Sequence, residues 1–166
     1  TYNTLRAFGP LLLATERRAK VICFSGGGAT KARANFSAYG AAKTAIVRLV
    51  ETVAIEEKHG LLDINAIAPG AINTRMTEQV IQLGPTVVGD DEYQMALKQR
   101  MAGGASLTKV FGLVDWLLSP NSDGISGRLI SAQWDAWEDQ EEFKLLAKGD
   151  HYTLRRVISG QHAQCS

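Results

Sequence analysis

The sequence predicts one α/β domain in which helices cover a parallel sheet. Three observations lead there. Apolar runs at residues 21–24, 61–68 and 127–132 read as short strands. Helical periodicity fills the intervals between them, and turn residues (Ser25-Gly26-Gly27-Gly28 and Pro69-Gly70) close the first two runs. Strands that alternate with helices need crossover connections, which is how parallel strands are joined. A length of 166 residues suits a single domain with a sizeable core.

The elements follow in order. Residues 2–16 place Leu5, Phe8, Leu12 and Leu13 at helical spacing, with Pro10 inside or near the end of the helix. The strand at 21–24 runs into the glycines. Ser37 is the expected N-cap of a long helix reaching about Lys58 and stopped by Gly60. Its apolar set is broad, from Ala41, Ala42 and Ala45 through Ile46, Leu49 and Val50 to Val53 and Ala54. That breadth predicts burial on two sides, against the sheet and against a second subunit. Residues 61–68 form a strand closed by Pro69-Gly70. Short helices are expected near 75–83 and 90–101, and another at 107–118 with Val110, Leu113, Val114, Leu117 and Leu118 on its apolar side. Residues 127–132 make the last strand. Domain boundaries are expected at 1–133, with 134–166 as a C-terminal extension or arm. In that arm Asp135, Glu138, Asp139, Glu141 and Glu142 read as a solvated helix face, and Trp134 and Trp137 as tail packing.

Composition excludes several classes. Hydrophobic residues at 45% and charged residues at 21% are ordinary for a globular chain. A net charge of +1 leaves no electrostatic footprint for nucleic acid or an anionic membrane surface. No apolar run reaches the roughly 18 residues of a membrane span, and the N-terminus has no signal-peptide pattern. Cys23 lies in an apolar run and Cys165 is next to last, so no disulfide framework is expected and the setting is read as cytoplasmic. His59, His151 and His162 have no partners at ligand spacing, so no metal is expected. The chain begins at Thr1 rather than Met and is expected to be less than a whole translation product.

Chemistry points to Tyr39 and Lys43. At i and i+4 near a helix start they share one face. A cation beside a phenol favours the phenolate, which makes the tyrosine usable as a general acid or base. The glycines of Ser25 to Lys31 are rejected as a phosphate loop. Gly26 and Gly28 are followed by Lys31 instead of a third glycine, and no helix starts there.

FSGGGAT, SAYGAAKTAIV and DINAIAPGAINTRM, in this order and spacing, resemble the short-chain dehydrogenase/reductase family over residues 4–132. The resemblance implies a Rossmann-like doubly wound parallel sheet lacking its N-terminal strands. It implies NAD or NADP as cofactor, with hydride transfer interconverting a small-molecule carbonyl and an alcohol. Tyr39 would be the catalytic acid/base, Lys43 would hold the nicotinamide ribose, and Pro69, Gly70, Ile72 and Thr74 would lie beside the nicotinamide. The family's catalytic serine stands thirteen residues before the tyrosine, where this chain has Gly26; Ser25, one residue earlier, takes the role if the loop carries one extra residue, and otherwise the hydrogen bond is missing or a backbone N–H or Ser37 replaces it. Residues 75–105 would be the variable lid, with Gly103-Gly104 as a hinge or plain loop. The motifs of the family's first half, including its glycine-rich phosphate turn, are not found in this sequence. A homodimer or homotetramer is expected through the helix from Ser37. The alternative is a non-catalytic fragment or oligomerising module.

Overall fold

Apolar runs form the strands, and the central one is buried along almost its whole length. The computed structural model describes residues 1–15 and 17–156. In it β1 (Ala19–Phe24), β2 (Leu62–Ala68) and β3 (Leu129–Ser131) make a parallel sheet in the order β1-β2-β3. Ala19 pairs with Leu62 and Phe24 with Ile67, while Ile67 pairs with Ile130. The helices are α1 (Tyr2–Leu13), α2 (Ser37–Glu56), α3 (Arg75–Leu83), α4 (Pro85–Val88), α5 (Asp90–Met101), α6 (Leu107–Leu118) and α7 (Gln140–Leu146). The α/β reading holds, and the arrangement is part of a Rossmann-like fold.

Side-chain alternation splits the core in two. Ile64 and Ala66 of β2 join Cys23, Val47 and Val50 on the α2 side. Ile67 points the other way, into a cluster with Val110, Leu113, Leu117 and Ile130 on the α6 side. Trp137, Phe143 and Ala147, in the stretch expected to be an extension, lie in this same cluster. Phe143 is fully buried, meets Trp116 edge-on at 5.4 Å and stacks on Tyr152 at 4.6 Å. Trp137 donates its indole N–H to the Ala132 carbonyl at 3.1 Å, whereas Trp134 is exposed. Cys165 and His162 lie outside the described residues.

Several boundaries differ from expectation for local reasons. β1 begins two residues early because the Lys20 ammonium is held by Asp63 at 2.8 Å. The N-cap of α2 is Phe36, not Ser37, because Asn35 at φ 62° turns the chain just before it. Helix α2 stops at Glu56, and the Glu57 carboxylate then accepts the His59 and Gly60 amides at 2.8 and 2.7 Å. The small residues Ala41, Ala42 and Ala45 stay exposed, so within one chain α2 is buried on a single side.

Two buried polar residues share the α6 face of β2 with Ile67. Asp63 accepts from Arg18, Lys20 and the Gly124 amide. Asn65 donates to the Ile125 carbonyl at 2.7 Å and accepts the Arg128 amide at 3.0 Å. Together they tie the turn before β3 to the middle of the sheet. Asp63→Ala removes the buried carboxylate that gathers Arg18, Lys20 and the Gly124 amide and is expected to cost about 2 kcal/mol in urea unfolding. Glu78→Ala breaks only an exposed pair with Arg100 at 3.6 Å and is expected to cost about 0.5 kcal/mol or less. Equal losses would show that Asp63 is not a structural tie.

Candidate functional site

The carboxyl ends of parallel strands are where open α/β sheets place their ligands. Here β1 leads into Ser25, whose amide adds one more rung to the ladder by donating to the Ile67 carbonyl at 2.8 Å. Ser25 is buried, and its hydroxyl donates to the Lys43 carbonyl at 2.9 Å. Lys43 answers from its side chain, donating Nζ to the Phe24 carbonyl at 3.2 Å. Strand end and helix are thus clasped twice.

Past Ser25 the chain runs through an extended Gly26 into a 3₁₀ turn at Gly27–Ala29. The Thr44 hydroxyl holds that turn to α2 through the Ala29 carbonyl at 3.1 Å. Tyr39 lies directly on the glycines. A Cβ at Gly26 would come within 2.9 Å of the Tyr39 hydroxyl, and one at Gly28 within 2.9 Å of ring carbon Cε1. These glycines serve close approach: they form the seat of the tyrosine ring. The position facing the Tyr39 oxygen is therefore Gly26, while Ser25 turns its hydroxyl to the backbone of α2.

Tyr39 and Lys43 share a helix face, with Nζ 5.7 Å from the ring centroid. Beside the ring opens a cleft of about 430 Å³, lined by Tyr39, Thr30, Lys31, Arg33, Phe36 and Thr44 among others. Arg33 is held by Glu92 of α5, and this pairing keeps the Glu92 carboxyl below the usual carboxylate range.

The second expected group follows β2 at the same end of the sheet. Gly70 sits at φ 92°, and a Cβ there would meet Gln133 Cγ at 2.6 Å, so the turn needs glycine twice over. Gln133 donates to both the Pro69 carbonyl (3.1 Å) and the Ser106 carbonyl (3.0 Å), joining this turn to the start of α6. The Ile72 carbonyl accepts from Gln99 at 3.0 Å. Thr74 is the N-cap of α3, its amide donating to the Thr77 hydroxyl at 3.4 Å. Gly104, in the pair considered as a hinge, packs against Ala71 and Asn73, and the next residue donates its amide to the Ala71 carbonyl. It is a fastened turn.

Sequence reasoning missed Arg33, Asn35, Phe36, Gln133 and the seating glycines. A run of three glycines between an expected strand end and the helix that carries Tyr39 is the one signal that could have found the seat. Among the described residues no cluster of His, Cys, Asp or Glu could hold a metal ion, and no helix is long and apolar enough to cross a membrane.

The family model described as Enoyl-(Acyl carrier protein) reductase, adh_short_C2, matches residues 1–133. The chain is 25% identical over 159 residues to the short chain dehydrogenase mpl6 of Monascus purpureus, covering 95% of this chain and 49% of the relative. It is 28% identical over 151 residues to the short chain dehydrogenase andI of Emericella variicolor, covering 90% and 46%. The chain therefore spans about half the length of the curated relatives it matches. Among solved structures, carveol dehydrogenase from Mycobacterium avium, crystallised with NAD, superposes with a TM-score of 0.65 at 21% identity, over 83% of this chain and 53% of that one. Ligand-free aldohexose dehydrogenase from Thermoplasma acidophilum gives 0.63 at 22% identity, over 80% and 53%. These two superpositions show the fold. With the family model spanning residues 1–133, the chain belongs to the short-chain dehydrogenase/reductase family.

Proposed function

We propose that this chain carries the proton-transfer half of an NAD(P)-dependent oxidoreductase that interconverts a carbonyl and an alcohol. The observation that carries the reading is the seating of Tyr39 on Gly26 and Gly28, with Lys43 on the same helix face and an open cleft beside them. The donor set suits the ribose end of a nicotinamide cofactor. Among the described residues Lys43 spends one of its three N–H donors, on the Phe24 carbonyl, which leaves donors for ribose hydroxyls. Pro69, Gly70, Ile72 and Thr74 stand at the neighbouring strand end and would flank the nicotinamide. The cofactor, NAD or NADP, would supply the hydride at the carbonyl carbon.

The chain's own residues supply the rest. Tyr39 donates its phenolic proton to the substrate oxygen during reduction and recovers one from it during oxidation. The Lys43 ammonium stabilises the negative charge left on the tyrosine oxygen. Ser25 is a positioning residue in this reading, since its hydroxyl is committed to the Lys43 carbonyl and sets the helix turn that presents Lys43.

Turnover of NADH and NADPH with a panel of aldehydes and ketones, and the reverse reaction with their alcohols, tests this. Tyr39→Phe is expected to lower turnover at least a hundredfold while NADH affinity, read by nicotinamide fluorescence, stays within about twofold. Ser25→Ala is expected to lower turnover less than about tenfold. Undiminished turnover in Tyr39→Phe overturns the assignment, and equal losses in both variants would move Ser25 to the substrate.

A second reading, an association module, is supported by apolar surface away from the cleft. Helix α1 buries no residue completely and exposes Tyr2, Phe8 and Leu11, while α2 exposes Ile55. Sedimentation velocity at micromolar concentration is expected to show a dimer or tetramer. A clean monomer would count against it.

A further inference from the structure

Helices α3, α4 and α5 form a layer with its own small core of Val80, Val88 and Ala96, separate from the two clusters that hold the sheet. What joins this layer to the loop before α2 is concentrated in three residues of one short stretch, Arg33, Asn35 and Phe36. Arg33 donates through Nε to one Glu92 oxygen at 2.8 Å and through Nη2 to the other. Asn35, at φ 62°, donates its side-chain amide to the Val88 carbonyl at 3.1 Å. Phe36 packs against the α3–α5 core itself.

The same residues reach the tyrosine. The Arg33 guanidinium lies over the Phe36 ring, 4.4 Å from its centroid, and 5.8 Å from the centroid of Tyr39. Phe36 meets Tyr39 edge-on at 6.3 Å. Glu92 is buried, and a bidentate pair fixes the plane as well as the place of the guanidinium. A flat cation fixed in this way is a rigid spacer between α5 and the ring; a lysine ammonium at the same position would be a point charge with neither property.

We propose that Arg33 and Glu92 are positioning residues whose pairing transmits the placement of α3–α5 to the ring of Tyr39 through Phe36. The proposal rests on Tyr39 being the acid/base, and it makes the seating of that ring depend on how the α3–α5 layer holds the loop that lines the cleft. Arg33 lines the cleft as well, so a substrate that shifts α5 is felt at the proton donor.

The test uses the whole 166-residue chain with ¹³C-labelled tyrosine, the Tyr39 ring signal being assigned by its loss in Tyr39→Phe. Glu92→Gln and Arg33→Lys are each compared with the parent by ring chemical shift and by amide hydrogen exchange. The expected result in both is a displaced Tyr39 signal and roughly tenfold faster exchange over residues 85–96, with Tyr152 and the β2 amides unchanged. Faster exchange with the Tyr39 signal unmoved overturns the proposal, because the pair would then be a structural tie only. Two unmoved readouts overturn it as well. Should Glu92→Gln lose β2 protection, Arg33→Lys decides the matter alone. Turnover is not the readout, so undiminished turnover in Tyr39→Phe sinks the catalytic reading of Tyr39, while the ring signal and the exchange rates judge the coupling separately.

Discussion

The site depends on a reciprocal clasp between the end of β1 and the second turn of α2. The Ser25 hydroxyl donates to the Lys43 carbonyl, and the Lys43 ammonium donates to the Phe24 carbonyl. Both acceptors are backbone groups at places where secondary structure leaves a lone pair free, so the clasp costs no ladder hydrogen bond. It fixes how far α2 is rotated about its own axis. Once that rotation is set, position 39 is directed at the glycine turn and position 47 at the sheet, where Val47 is fully buried.

Close approach does the rest. Any side chain at Gly26 or Gly28 would collide with the Tyr39 ring or hydroxyl, and Gly40 repeats the theme, since a Cβ there would stand 3.3 Å from the Gly28 carbonyl. The turn and the helix therefore come close backbone to backbone, with the aromatic ring seated against the glycines beside the open cleft. A rigid floor beneath a phenol is what proton transfer needs, because misplacement by an ångström is costly. The α3–α5 layer is different in kind. It is attached through an ion pair, an Asn side chain and one aromatic ring, and its own core is small.

Stability comes from elsewhere in the molecule. The polar face of β2 and the packing of Phe143 under Tyr152 hold the opposite end and the opposite face of the sheet. Glu51, buried in α2, accepts from the Leu154 amide at 2.6 Å and from Arg48 and Arg155, which fastens the stretch after α7 across the helix. The Tyr152 carbonyl accepts the Leu129 amide at 2.8 Å and so occupies the outer edge of β3. Site and scaffold thus use different residues of α2.

The amino-acid sequence by itself determined the alternation of strands and helices, the extents of α3, α5 and α6, and the pairing of Tyr39 with Lys43 on one helix face. These are local properties: period, turn residues and i to i+4 spacing decide them within a few residues of chain. The same order of motifs carried the family resemblance that the family model matches over residues 1–133. Only the tertiary structure decided which way Ser25 points, because its acceptor lies 18 residues away. It also decided that the three glycines seat a ring, that Arg33 finds Glu92 across 59 residues, and that Phe143 belongs to the core. Such contacts join distant segments through packing, and no local pattern of charge or hydropathy encodes a partner that only the fold brings near.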